Sequence, residues 1–298
     1  MFEEFKAPSR WTQARLAALI AFFVTCFLFG GASRADALSQ IPVRLGAIAM
    51  LAVAITTVTP VQLKLIKMPL LLLMALAAIM LLQLIPLPPS IWSARPGGGR
   101  YPEVGAATGT AQVWCPLSLT PDLTLNSLLA LLPATAALIG LASLPAASRP
   151  TLTVFVGAAL LGCTVGILQL AMGGNGALYF YQITNEGFPV GFFANRNHQA
   201  LFLAMAIPML AHWSSVPRPD SSSARRRQWI AALGVIYLTP MILMTGSRAG
   251  LILAIAALGP SWLLWRRRGR RPLRAATRYD WALRALPAVG LAGLVRAT

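Results

Sequence analysis

Apolar residues run along this chain in long, nearly unbroken stretches, with little of the alternation that marks a surface helix or a half-buried strand. Nine stretches stand out: residues 16–33, 41–59, 68–85, 123–142, 151–172, 196–213, 229–246, 249–265 and 281–295. Several reach the roughly 18 to 20 residues that carry a helix across about 30 Å of hydrocarbon. The pattern predicts an all-α polytopic transmembrane helical bundle of about nine spans. Residues 229–265 would measure about 55 Å as a single helix at 1.5 Å per residue. That overshoots a bilayer, so the chain is expected to turn at Thr245-Gly246-Ser247-Arg248, the only polar break in the run. The first stretch has no small-residue cleavage site close behind it and reads as a retained span, not a removed signal peptide.

Composition agrees with this pattern, and charge orients it. Of 298 residues, 57% are hydrophobic and 11% charged, against about 25% charged in a soluble domain. The whole of 1–298 reads as one integral membrane domain. The net charge is +17. With the N-terminus in the cytoplasm, 17 of the 25 basic residues fall on the inner side. Seven fall outside: Arg34, Arg44, Arg95, Arg100, Arg196, Arg248 and Arg296. Lys/Arg-rich loops stay in the cytoplasm, so the asymmetry predicts a cytoplasmic N-terminus. It places basic loops 214–228 and 266–280 inside, and loops 86–122 and 173–195 outside. Trp92, Tyr101 and Trp114 suit the first outer loop to the headgroup level. Basic loops against anionic membrane lipids account for the charge. No interleaved aromatic and basic platform points to nucleic acid. Cys26, Cys115 and Cys163 have no partner at metal or redox spacing. With only His198 and His212, no metal site is expected.

Polar residues beside the spans concentrate at two points. The first is Gly191-Phe192-Phe193-Ala194-Asn195-Arg196-Asn197-His198-Gln199-Ala200. Asn195 is suited to cap the helix behind it, whose free N–H groups and dipole favour an anion. Arg196 adds a planar fork matched to phosphate. The second is Thr245-Gly246-Ser247-Arg248-Ala249-Gly250, where Arg248 has an apolar helix on either side in sequence. Arginine beside a span is costly and marks function. The predicted topology brings Arg196 and Arg248 to one face, where they make a candidate anion site with Asn195 and Ser247. Gln83 and Gln169 read as interhelical hydrogen-bond donors. Glu186 and His198 are weak candidates for an acid or base. The glycine clusters at 97–99 and 173–176 follow no strand and precede no Lys-Ser/Thr, which excludes a nucleotide loop.

The first motif resembles the Gly-x-Phe-x-Asn-Arg-Asn-His-x-Ala element of the O-antigen ligase and polymerase superfamily of bacterial membrane glycosyltransferases. Leu243-Met244-Thr245-Gly246-Ser247-Arg248-Ala249-Gly250 resembles its Leu-x-Thr-Gly-Ser-Arg-Gly/Ala-Gly element. Weaker matches are Leu82-Gln83-Leu84-Ile85-Pro86-Leu87-Pro88-Pro89 and Pro116-Leu117-Ser118-Leu119-Thr120-Pro121. The resemblance implies a GT-C-like architecture in the bacterial inner (cytoplasmic) membrane. It implies transfer of a glycan on the periplasmic face, from an undecaprenyl-diphosphate carrier to a lipid A-core, glycan or protein acceptor. No cofactor or metal is implied. Arg248 and Arg196 would contact the diphosphate. In the family a histidine of a later periplasmic loop is thought to activate the acceptor. His198 belongs to a different motif, and no counterpart of that histidine is expected before Thr298. The chain therefore reads as the N-terminal part of a longer enzyme, expected to insert in the membrane but to transfer no glycan alone. A transporter or flippase of lipid-linked sugars, or a non-catalytic component of polysaccharide assembly, stands as the alternative.

Overall fold

The computed structural model describes residues 10–32, 34, 38–94, 100–109, 114–144, 148–174, 176–215 and 221–266. Twelve helices and one short strand pair occur among them. The helices are α1 (Arg10–Phe29), α2 (Gln40–Ile55), α3 (Pro60–Leu65), α4 (Lys67–Leu84), α5 (Pro89–Trp92), α6 (Arg100–Thr108), α7 (Pro121–Leu129), α8 (Leu131–Ser143), α9 (Ser148–Ala171), α10 (Arg196–Ser215), α11 (Ser221–Met244) and α12 (Arg248–Arg266). Strands β1 (Pro86–Leu87) and β2 (Cys115–Pro116) pair antiparallel, Pro86 opposite Pro116.

The chain is mostly helical. Five helical segments are long and apolar enough to cross a membrane: 10–29, 67–84, 121–143, 150–171 and 224–244. Gln40–Ile55 and Arg248–Leu264 are shorter apolar helices. The sixth stretch forms α10, whose first turn carries Arg196, Asn197, His198 and Gln199. The ninth stretch, 281–295, and most of the basic loop 266–280 lie outside the described residues.

Local chemistry explains where helices stop short of the apolar pattern. The stretch 41–59 yields a helix only to Ile55. The Thr56 and Thr57 hydroxyls donate back to the Val53 carbonyl, which competes with continued helix. Thr59 then opens α3 with a reciprocal capping box to Gln62 and Pro60 in the first turn. The stretch 123–142 divides into α7 and α8 at Ala130. Pro133 lacks the N–H that would bond the Leu129 carbonyl, and its ring crowds that carbonyl.

Two apolar cores form. One gathers Leu203, Ile207 and Leu210 of α10 with Cys163 of α9, Leu238, Met241 and Ile242 of α11, and Ala254 of α12. The other packs Leu19, Phe22 and Phe23 of α1 against Ala47 and Met50 of α2 and Ala136 and Ile139 of α8. Aromatic rings bridge them: Phe27 meets Phe155 at 5.2 Å and Phe202 at 5.4 Å. No residue of α4 is buried.

The segment 86–122 departs from a plain loop. The Ser118 N–H donates to the Gln83 carbonyl at 2.9 Å next to the strand pair. The two proline-rich motifs are thus neighbours in space. Trp92, expected at the headgroup level, is buried on α5, whereas Trp114 is exposed. The side chain of Tyr101 lies outside the described residues.

Candidate functional site at the paired starts of α10 and α12

Helices α10 and α12 begin side by side and run in the same direction. A Cβ on Gly250 would fall 2.3 Å from the Cβ of Ala200, so only glycine admits this approach. Small residues permit such close helix contact in membranes. Helix α11 descends antiparallel between their ends and closes with Gly246 in the left-handed region at φ +64°. Such a glycine commonly ends a helix. A Cβ there would lie 3.4 Å from Nη1 of Arg196. The two arginine motifs, about fifty residues apart in sequence, therefore meet at one end of the bundle.

Both starts are capped, α10 by Asn195 as the sequence implies and α12 by Ser247, which was expected to face the anion. The Asn195 Oδ1 accepts from the Asn197 N–H at 2.8 Å. The buried Ser247 Oγ accepts from the Gly250 N–H at 3.0 Å. The free donors, however, are not where expected. The N–H of Arg196 bonds Asn185 Oδ1 at 3.1 Å. Those of His198 and Gln199 reach the Asn195 carbonyl. The first turn of α10 has no N–H left for an anion, because the preceding loop folds back and supplies acceptors. On α12, the N–H groups of Arg248 and Ala249 find no acceptor among the described residues.

The arginines differ in setting. Arg196 is half-buried, its guanidinium carbon 4.0 Å from the centroid of the Phe188 ring. That ring favours a cation and fixes the fork beside Gly246. Phe188 is itself held where the Tyr179 hydroxyl donates to its carbonyl at 3.0 Å. Arg248 is exposed. Among the described residues neither guanidinium has an ion-pair or hydrogen-bond partner. Burial pushes the Tyr179 phenol above its ordinary value, the Gly187 backbone opposes the shift, and Glu186 adds to it. Tyr181 is raised by burial too, against a backbone hydrogen bond at Gly31. Both phenols stay neutral near pH 7.

Sequence reasoning placed Gln169 between helices. It is fully buried and serves the loop instead. Its Oε1 accepts from the N–H groups of Val190 and Gly191, each at 2.9 Å. Its Nε2 donates to the Leu178 and Gly191 carbonyls. Gln83 contributes its backbone carbonyl. The loop is also fastened to the end of α1, where the Ala194 N–H donates to the Gly31 carbonyl at 2.8 Å. Asn185 and Phe188, and the loop-holding role of Gln169, were missed because each acts on residues distant in sequence. His198 is exposed against Phe193. It lies two residues from Arg196, which on a helix turns it about 200° to the opposite side. Glu186 is exposed in the loop.

Two planar forks and two N–H groups without an acceptor among the described residues are groups whose chemistry suits a phosphate-type oxyanion. No known protein family, no curated protein and no solved structure matches the chain.

Proposed function

We propose that the chain supplies the carrier-diphosphate site of a bacterial inner-membrane glycosyltransferase of the O-antigen ligase type, an enzyme that takes a glycan from an undecaprenyl-diphosphate carrier and passes it to a lipid A-core, glycan or protein hydroxyl on the periplasmic face. In this scheme the chain has nine spans, a GT-C-like architecture and a cytoplasmic N-terminus. The observation that carries the proposal is the pairing of the starts of α10 and α12, which puts Arg196 and Arg248 at one end of the bundle with Arg196 Nη1 beside Gly246. Both sit in motifs that resemble the family's. As the acceptor oxygen attacks the anomeric carbon, the bond from that carbon to the diphosphate breaks. The diphosphate leaves with the electron pair. Arg196, Arg248 and the free N–H groups of α12 would stabilise the charge that develops there.

In cells expressing the gene, Arg248→Lys should lower glycan delivery to the acceptor nearly as far as Arg248→Ala, by about a hundredfold or more. Lysine keeps the charge and loses the fork. Wild-type delivery by the lysine variant would contradict bidentate phosphate contact. Movement of the lipid-linked glycan across the bilayer with no new glycosidic bond would contradict transfer and favour a flippase.

A further inference from the structure

On the far side of α10 from Arg196 lies a separate cavity of about 820 Å³, bounded by α1, α2, α7, α8, α9 and α10. Its volume falls in the range of ligand pockets, roughly 300–1,000 Å³. Arg44, Arg34 and His198 line it at the bundle end where α10 begins, with the neutral Gln40, Asn126 and Ser127 beside them. Phe27, Phe155 and Phe202 form an apolar wall. No carboxylate is on the lining among the described residues.

Arg44 is unusual in its position. It sits within the apolar helix α2, one turn past its start, where an ionisable group is expensive and marks function. It is half-buried, and its Nη2 donates to Oε1 of Gln40 and Oδ1 of Asn126. Both acceptors are neutral, so they orient the guanidinium without cancelling its charge. Nε and Nη1 have no partner among the described residues. A fork anchored on one nitrogen and open on the others is preorganised for an oxyanion.

We infer that this cavity is a second ligand site, distinct from the Arg196–Arg248 site, that binds an anionic phosphate-bearing amphiphile with its headgroup at Arg44 and its apolar body along Phe27, Phe155 and Phe202. A free phosphate would leave the aromatic wall unused, and a neutral lipid would leave the Arg44 charge unmet. The inference does not depend on glycan transfer. The amphiphile is either a bilayer phospholipid or a phosphorylated lipid carrier, and the two share the recognising chemistry.

The test is native mass spectrometry of the 298-residue chain, stripped of lipid and offered equal amounts of four probes. These are phosphatidylglycerol, phosphatidylcholine, undecaprenyl phosphate and undecaprenol. Retention of an anionic probe over both uncharged and zwitterionic ones is expected, and the preferred anionic probe identifies the source. Arg44→Gln should lower that retention about tenfold, as for loss of a hydrogen bond to a charged group. Ser127→Trp keeps Arg44 but fills the cavity from α7 and should lower it as much. It decides the matter if Arg44→Gln does not fold. Both falls are read in an Arg248→Ala background, where the proposed transfer site is weakened and the cavity should still hold the anionic probe, which separates the two sites. Equal retention of all four probes would overturn the inference. So would loss of anionic retention in Arg248→Ala alone, or anionic retention that survives both cavity variants in that background.

Discussion

Arg196 is positioned by residues that do not adjoin it in sequence. Phe188 lies under its guanidinium, Asn185 holds its N–H, and Gly246 leaves room at its tip. The cap Asn195 was legible because cap chemistry acts within three residues; Ser247, expected at the anion site, instead accepts from the Gly250 N–H through its Oγ. Gln169 was not, because the N–H groups it accepts from lie 21 and 22 positions away. Nothing in a lone polar residue of an apolar run tells whether it faces a helix or a returning loop. Arg44 carried a signal that went unused: it is a lone arginine inside an apolar stretch. Gln169→Leu should bare buried N–H groups of Val190 and Gly191. At about 1–3 kcal/mol for each unsatisfied group, it should lower stability by several kcal/mol. A thermal melt in detergent checks this, and loop 176–195 should become protease-sensitive well below the melting point of the helices. A melt and cleavage pattern like the wild type would show that the amide does not hold the loop.

Among the elements, apolar runs located eight of the nine expected segments as helices, with the ninth outside the described residues. Run length overstated α2 and missed the break at Ala130, because threonine back-bonding and Pro133 act within runs that remain apolar. The turn between α11 and α12 was legible, since no bilayer holds a helix of that length and glycine supplies the left-handed residue. The parallel approach of α10 and α12 rests on Gly250 against Ala200. Gly250→Leu should force them apart. Overpacking of this kind costs about 1–3 kcal/mol, so the melting temperature should fall. Anion binding at the arginines should fall further than stability does. An unchanged melt would mean that the helices separate without cost and that the contact is loose. Swapping Ala200 for glycine in the Gly250→Leu background should restore part of both.

Across the whole molecule, the basic asymmetry in the sequence sets an orientation, and the helix packing sets which ends lie together. The two are independent. Packing puts Arg196 and Arg248 at one end; the arginine count predicts that this end is periplasmic. Gln182→Cys in the loop before α10 should label with an impermeant maleimide in intact cells, and Ser222→Cys at the start of α11 only after permeabilisation. The reverse pattern would place the arginine end in the cytoplasm and remove the periplasmic reaction from the proposal. The most direct measurement of the central claim is binding of undecaprenyl diphosphate to the purified chain in nanodiscs, in an Arg44→Gln background that removes the fork of the second cavity, compared with and without Arg196→Ala, Arg248→Ala and both together. Each single change should weaken binding about tenfold, and both together should bring it to the level of empty nanodiscs. Equal affinity with both arginines present and with both replaced would contradict the claim that these two arginines hold a diphosphate.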